Sequence, residues 1–290
     1  MSDNYSFDLL RQNDVYESDL ALERRRASTY VEGVDYKRDV CIGGVWERLK
    51  VTSAAGERSI GRPMGLYDTL NVPRLDEILP DDIEDAKDEV ARELCRMCDL
   101  CDITPARILV LGLGNHELTP DAVGPAAAAE VEATMHIKSD DYDLFESLGC
   151  SEICVLCPNV TANSGMPTAE IVKGVAEKVK PSLIIAIDSL ASRSIERLGA
   201  TIQVSSTGII PGTGVGYSGN AINEELLGAP VIAIGVPTVI NSKILYDDQR
   251  ISRKNTPSLF VSPKGINKIV RNSAKIIGGG INQAFGVCYY

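Results

Sequence analysis

From residue 107 onward the chain alternates short apolar runs with amphipathic stretches. The runs are ILVLGLG (108–114), CVLC (154–157), LIIAID (183–188), TIQVSS (201–206) and PVIAIGVP (230–237). Continuous apolar runs of this length predict strands buried on both faces. Between them, residues 121–135 and 168–180 predict helices, the second with Ile171, Val175 and Val179 on one side, and a last helix is predicted over 264–277. Strands alternating with helices predict an α/β fold, a three-layer α/β/α sandwich around a mostly parallel sheet. Upstream, Pro80, Asp81 and Asp82 suit the first turn of a helix over 80–101, where acidic groups meet the positive end of the dipole. Residues 40–72 hold short β-type runs broken by glycines and predict a small β-rich insertion or subdomain. The first 26 residues are polar and lack a sustained period. The expected organisation is an N-terminal arm over 1–26 followed by one domain over 27–290.

Composition narrows the function classes. The chain has 290 residues, 44% of them apolar and 24% charged, enough to bury a sizeable core. Its net charge of −11 and pI near 4.8 argue against a bulk electrostatic grip on nucleic acid or on an anionic membrane. Aromatic residues make up 5%, which argues against base-stacking platforms. No apolar run reaches the roughly 20 residues that span a bilayer. The opening segment is acidic where a secretory signal would be basic and then apolar. A cytoplasmic location is expected, with the eight cysteines reduced.

The candidate chemistry lies where the predicted strands end. Asp121 opens a predicted helix after GLGN (112–115), and Asp188 ends LIIAID. TGIIPGTGVG (207–216) follows TIQVSS, and Thr238 follows VIAIGVP. Ligands bind beyond the carboxyl ends of strands in open parallel sheets, so two aspartates and two glycine-rich loops would converge there. Either aspartate alone could simply cap a helix, Asp188 one over about 190–198. As a pair they suit general acid–base work, because like charges held close cannot both ionise cheaply. GLGN lacks the third glycine of a dinucleotide fingerprint, and the second loop lacks the Lys-Ser/Thr of a phosphate loop. Cys95, Cys98 and Cys101 have a metal-like spacing but fall in a helical, apolar pattern that suits core thiols. His116 and His136 have no matching nucleophile. No metal or other cofactor is expected.

LVLGLGNHELTPDAVGP (109–125), KVKPSLIIAIDSLASRSIERL (178–198), TIQVSSTGIIPGTGVG (201–216) and LGAPVIAIGVPTVI (227–240) together resemble the spore germination protease family. Weaker matches are SDLALERR (18–25) and VSPKGINKIV (261–270). The resemblance implies an endopeptidase distantly similar to hydrogenase-maturation proteases. It implies small acid-soluble proteins that coat spore DNA as substrates, a spore-core location and a homotetramer. It also implies an inactive precursor that cuts itself between Asp19 and Leu20, and an aspartic-type mechanism on Asp121 and Asp188. Asn115, Thr207, Gly208, Gly212, Gly214 and Thr238 are the candidate walls of the peptide groove. Two other readings stay open: a metal-dependent protease with the two aspartates as ligands, and a non-catalytic spore-core binding protein.

Overall fold

The computed structural model describes residues 18–25, 30–212, 220–242 and 259–287. Its centre is one mixed sheet. The strands are β1 (Val34–Cys41), β2 (Gly44–Val51), β3 (Gly65–Asn71), β4 (Arg107–Gly112), β5 (Glu152–Leu156), β6 (Leu183–Ser192), β7 (Thr201–Ser205), β8 (Val231–Asn241) and β9 (Phe260–Val261). They lie in the order β1-β2-β3-β7-β8-β6-β4-β5, with β9 on the end of β8. The sheet is parallel across β8, β6, β4 and β5 and antiparallel elsewhere. The α/β expectation holds, while the parallel part is confined to these four strands. The predicted β-rich insertion is not set apart from the sheet. Its strands extend the sheet edge, because β3 pairs with β7 from Tyr67↔Ser205 to Asn71↔Thr201.

Helices cover both faces. Helix α1 (Ala54–Ile60) links β2 to β3; α2 (Pro80–Leu100), α3 (Val123–Ala129) and α5 (Ile266–Phe285) pack on one face, and α4 (Thr168–Val179) on the other. Helix α2 starts with Pro80 in its first turn, where no backbone N–H is needed. Ala86, Val90, Leu94 and Met97 recur at helical spacing and are buried against α5 and the sheet. Each such aliphatic side chain contributes about 1.5–3 kcal/mol on burial. Cys98 joins that core while Cys95 and Cys101 face solvent, so the three thiols do not share one surface. No helix among the described residues is long and apolar enough to cross a membrane.

Two elements depart from the sequence expectation near the candidate site. The helix predicted over 121–135 is a 3-10 turn (Thr119–Asp121), then the two turns of α3, then a separate helix from Met135. The break is held by Asn282 of α5. Its Nδ2 donates to the Glu130 carbonyl (2.8 Å), and its Oδ1 accepts from Glu132 N (2.9 Å), taking over hydrogen bonds that a longer helix would make itself. Likewise β6 does not end at Asp188. It runs on to Ser192, paired with β8 through a register shift at Leu190/Ala191. No helix follows over 190–198, so Asp188 caps nothing.

Residues 18–25, polar in sequence, are packed. Ala21 and Leu22 form a small cluster with Leu49, Val51, Ile60 and Tyr67, beside the half of the sheet that β2 and β3 supply. Polar side chains of this segment bind the surrounding fold. Glu23 accepts from Ser192 Oγ, Arg193 N (2.6 Å) and Ser194 N (3.1 Å), and Arg24 Nη2 donates to the Ser18 carbonyl (3.0 Å).

Candidate active site

Asp121 and Asp188 reach one cavity, Asp188 from β6 and Asp121 from the turn that follows β4. Gly112, the last residue of β4, is level with Ile187 of β6, so Asp188 stands one residue beyond the end of β4. The chain leaves β4 through Leu113, whose N–H still donates to the Ile187 carbonyl (2.8 Å). It then folds back through residues 114–118 into the 3-10 turn that carries Asp121. Two glycines make this return possible. Gly114 has φ +109°, and a Cβ there would sit 2.1 Å from the Asp121 carbonyl oxygen. At Gly124, in the first turn of α3, a Cβ would lie 2.1 Å from the Leu113 carbonyl oxygen and 2.4 Å from that of Ile187. The glycines after β4 therefore serve a close backbone approach, which brings the Asp121 turn against β4 and β6.

The two carboxyls differ in environment. Asp188 is 4% exposed, and Ser189 N donates to its Oδ1 (2.8 Å). Burial, the neighbouring Asp121 charge and, more weakly, Asp19 push its pKa well above the usual carboxylate range, against the pull of the Ser189 N–H. Asp121 is half-buried. Burial raises its pKa, while the Asn115 N–H, donating to Oδ2 at 2.8 Å, favours its ionised form. One acid is thus held neutral further up the pH scale than its neighbour.

The cavity has a volume of about 610 Å³ and a largely apolar wall that includes Leu118, Val160, Val239 and Phe260. Asp19, Asp121, Asp188, Gly212 and Thr238 all line it. Thr238 is fully buried, and its hydroxyl donates to the Pro120 carbonyl (2.6 Å), so it props the Asp121 turn from below. Asn115 is not on the cavity wall; besides holding Asp121, its Oδ1 accepts from Glu117 N. Thr207 and Gly208 line an adjoining cavity of about 120 Å³, together with Asp19, Arg62 and Gln203. Gly214 lies outside the described residues.

Asp19 links the two cavities. Its N–H donates to the Ala191 carbonyl, and Ala191 N donates back to Asp19 Oδ2, both at 2.9 Å. This pairing lays the segment 18–21 beside the last residues of β6. Leu20, next in the chain, is fully buried. Sequence reasoning missed the two side chains that hold this segment, Arg62 and Gln203. The available signal was Gln203 itself, a large polar residue in the middle of an otherwise small or apolar strand.

A chain with these features finds clear relatives. The germination protease family model, Peptidase_A25, matches residues 11–252. The chain belongs to the germination protease family. The germination protease of Clostridium perfringens is 34% identical over 312 aligned residues, which cover 92% of this chain and 94% of that protein. That of Caldanaerobacter subterraneus subsp. tengcongensis is 35% identical, covering 92% and 93%. Membership in the germination protease family makes this chain a protease, and the match spans both aspartates and the packed segment 18–25. Among solved structures, the [NiFe] hydrogenase maturation protease HycI of Thermococcus kodakarensis KOD1 superposes with a TM-score of 0.36 at 18% identity, covering 63% of this chain and 99% of that one.

Proposed function

We propose that this protein is a spore germination endopeptidase that hydrolyses peptide bonds with Asp121 and Asp188. The observation that carries the reading is the shared cavity lined by both carboxyls: Asp188 is pushed well up by burial and then by the Asp121 charge, while the more accessible Asp121 is raised by burial and accepts the Asn115 N–H, which favours its ionised form. In that arrangement Asp121 is the general base and Asp188 the general acid. Water gives a proton to Asp121 as its oxygen attacks the carbonyl carbon, and Asp188 gives a proton to the departing nitrogen. The apolar wall suits an extended, uncharged peptide backbone with apolar side chains.

The substrates are small acid-soluble proteins that coat spore DNA, met in the spore core. The protein is made as a zymogen that cuts itself between Asp19 and Leu20, and it works as a homotetramer without a metal. Asp19 supports the self-cutting step, since it is the residue of its segment that lines the cavity with both aspartates.

Mass spectrometry of wild type, Asp121→Asn and Asp188→Asn tests the proposal, each incubated alone and with a purified small acid-soluble spore protein. Either substitution is expected to abolish both self-processing and substrate cleavage while thermal unfolding stays cooperative. Full activity in either variant overturns the assignment, and loss of wild-type activity in a chelator would favour a metal-dependent protease instead. An unprocessed wild type that also leaves the spore protein intact would point to a binding protein.

A further inference from the structure

The reaction above needs more than an acid and a base. As water attacks, negative charge builds on the carbonyl oxygen of the bond being cut, and fixed donors aimed at that oxygen supply much of an enzyme's advantage. Neither aspartate meets this need once Asp188 is reserved for the leaving nitrogen. Asp19, which lines the cavity with both aspartates, marks where such donors stand.

The Asp19 carbonyl oxygen accepts from Arg62 Nη2 at 2.8 Å and from Gln203 Nε2 at 3.4 Å. Both donors come from the body of the fold. Arg62 follows Gly61, the left-handed residue that ends α1, and Gln203 is the central residue of β7. Each grips the peptide at a second point. Arg62 Nη2 also donates to the Ser18 carbonyl (3.2 Å), and Gln203 Oε1 accepts from Ala21 N (2.9 Å). Gln203 therefore spans the Asp19–Leu20 bond, pairing with the carbonyl before it and with the second N–H after it. Such contacts read backbone and hold it extended, whatever side chains it carries.

Arg62 has little else to do. Its side chain is 17% exposed, its hydrogen bonds among the described residues go to Ser18 and Asp19, and its Nε is buried without a partner. A guanidinium desolvated to this extent is costly unless it meets an anion. The Asp19 carboxylate is within reach of Arg62 Nη2 at 3.8 Å, a longer contact than the carbonyl makes.

We propose that Arg62, assisted by Gln203, is a catalytic residue that binds the oxyanion formed on the carbonyl of the scissile bond. This rests on the reading of Asp121 and Asp188 as the hydrolytic pair and of Asp19–Leu20 as the bond cut in self-processing. The oxygen of water bonds to the Asp19 carbonyl carbon, and one water proton passes to ionised Asp121. The π pair moves onto the carbonyl oxygen, facing the Arg62 guanidinium. On collapse the C=O bond re-forms and the C–N bond breaks. The Leu20 nitrogen takes the proton of Asp188 and leaves as an amine. The cut end becomes a carboxyl group, and the pair again holds one proton between its two members. Protein substrates bring their own carbonyl to the same two donors once the segment has been cut.

The test uses the full chain carrying Arg62→Ala, Arg62→Lys, Gln203→Met, Asp121→Asn or Asp188→Asn. Self-processing is followed by intact mass, and cleavage of a purified small acid-soluble spore protein is followed over a range of substrate concentrations. Arg62→Ala is expected to lower kcat by about 10²–10³-fold with a much smaller change in KM, and Gln203→Met by about 10-fold. Arg62→Lys keeps the charge without the planar fork and falls between wild type and Arg62→Ala. Added guanidinium chloride at millimolar concentration should restore part of the Arg62→Ala rate, which a merely structural role would not allow. The pH profile of the remaining activity should keep its shape, because the aspartate pair is untouched. A kcat for Arg62→Ala within about threefold of wild type overturns the proposal, as does a loss confined to KM. Cleavage at a bond other than Asp19–Leu20 also overturns it. Full activity in Asp121→Asn or Asp188→Asn would instead strike the underlying reading, so the two failures are told apart.

Discussion

Adding a single methyl group at Gly124 tests whether the close approach of α3 to the sheet sets the active site. The Cβ of Gly124→Ala would fall 2.1 Å from the Leu113 carbonyl oxygen and 2.4 Å from the Ile187 carbonyl oxygen. Both are backbone atoms at the ends of the parallel strands, so no side chain can swing aside. The start of α3 must retreat by about 1 Å, a distortion of the overpacking kind that costs about 1–3 kcal/mol. Asp121 is three residues upstream and moves with it, while Asp188 stays on β6. A displacement of about 1 Å between reacting groups lowers a rate by about 10²-fold. Thermal unfolding followed by circular dichroism, with self-processing rates from intact mass, reads both effects. Gly174→Ala is the control: it lies within α4, where an added Cβ meets nothing within 4 Å. That change should raise stability by about 0.5–1 kcal/mol and leave activity alone. Wild-type activity in Gly124→Ala would refute the argument that this contact holds Asp121 in place.

Two further outcomes follow from the site. Because folding raises the Asp188 pKa, its contribution to stability is complete below the unfolded carboxylate pKa and is lost as pH rises through the folded value. Asp188→Asn should therefore gain stability relative to wild type as pH increases, seen as a widening gap in Tm between pH 5 and pH 9; a constant or narrowing gap would contradict the burial argument. Thr238→Val removes the hydroxyl that holds the Pro120 carbonyl and should cost about 1–3 kcal/mol along with roughly tenfold in rate, whereas Thr238→Ser should keep both. Equal rates for the Val and Ser variants would show that this bond does not place Asp121.

The parallel strands were legible in the sequence because burial on both faces leaves an unbroken apolar run, as in LIIAID. Their neighbours were harder to read. β1 mixes intermediate and exposed positions and has no buried one, so nothing local says that the hairpin it forms extends the main sheet rather than standing apart. That union is made at distance, by the pairing of β3 with β7. A charged residue usually marks a strand end, so the sequence places the end of β6 at Asp188, whereas the carboxyl is buried and the strand continues through SLAS. The helix from Asp121 is shorter than its sequence predicts because its terminator is Asn282, distant in the chain. The convergence of Asp121 and Asp188 was legible as a pattern of strand ends. The grip of Arg62 and Gln203 was not, since it depends on where residues 18–21 lie, and a polar stretch that packs on the fold looks in sequence like one that does not.

These points share a physical root. Asp121 and Asp188 line one cavity, and two carboxyls so placed repel each other whenever both ionise, so the fold has to hold them together against that tendency. It does so with the least compliant material available, backbone against backbone at Gly114 and Gly124, on strands whose apolar side chains are fully buried. A site assembled from flexible loops would relax, separate the two acids and let both titrate normally. The segment 18–21 adds a third acid, Asp19, to the same cavity, and its charge also raises Asp188. Its carboxylate is bound by the Ala191 N–H with Arg62 nearby, so the additional repulsion is offset locally. The rigidity that holds Asp188 beside Asp121 and the cationic grip on the Asp19 carbonyl thus act on one electrostatic problem from opposite sides. Loosening the glycine contacts should narrow the pKa difference between Asp121 and Asp188 before it unfolds the protein.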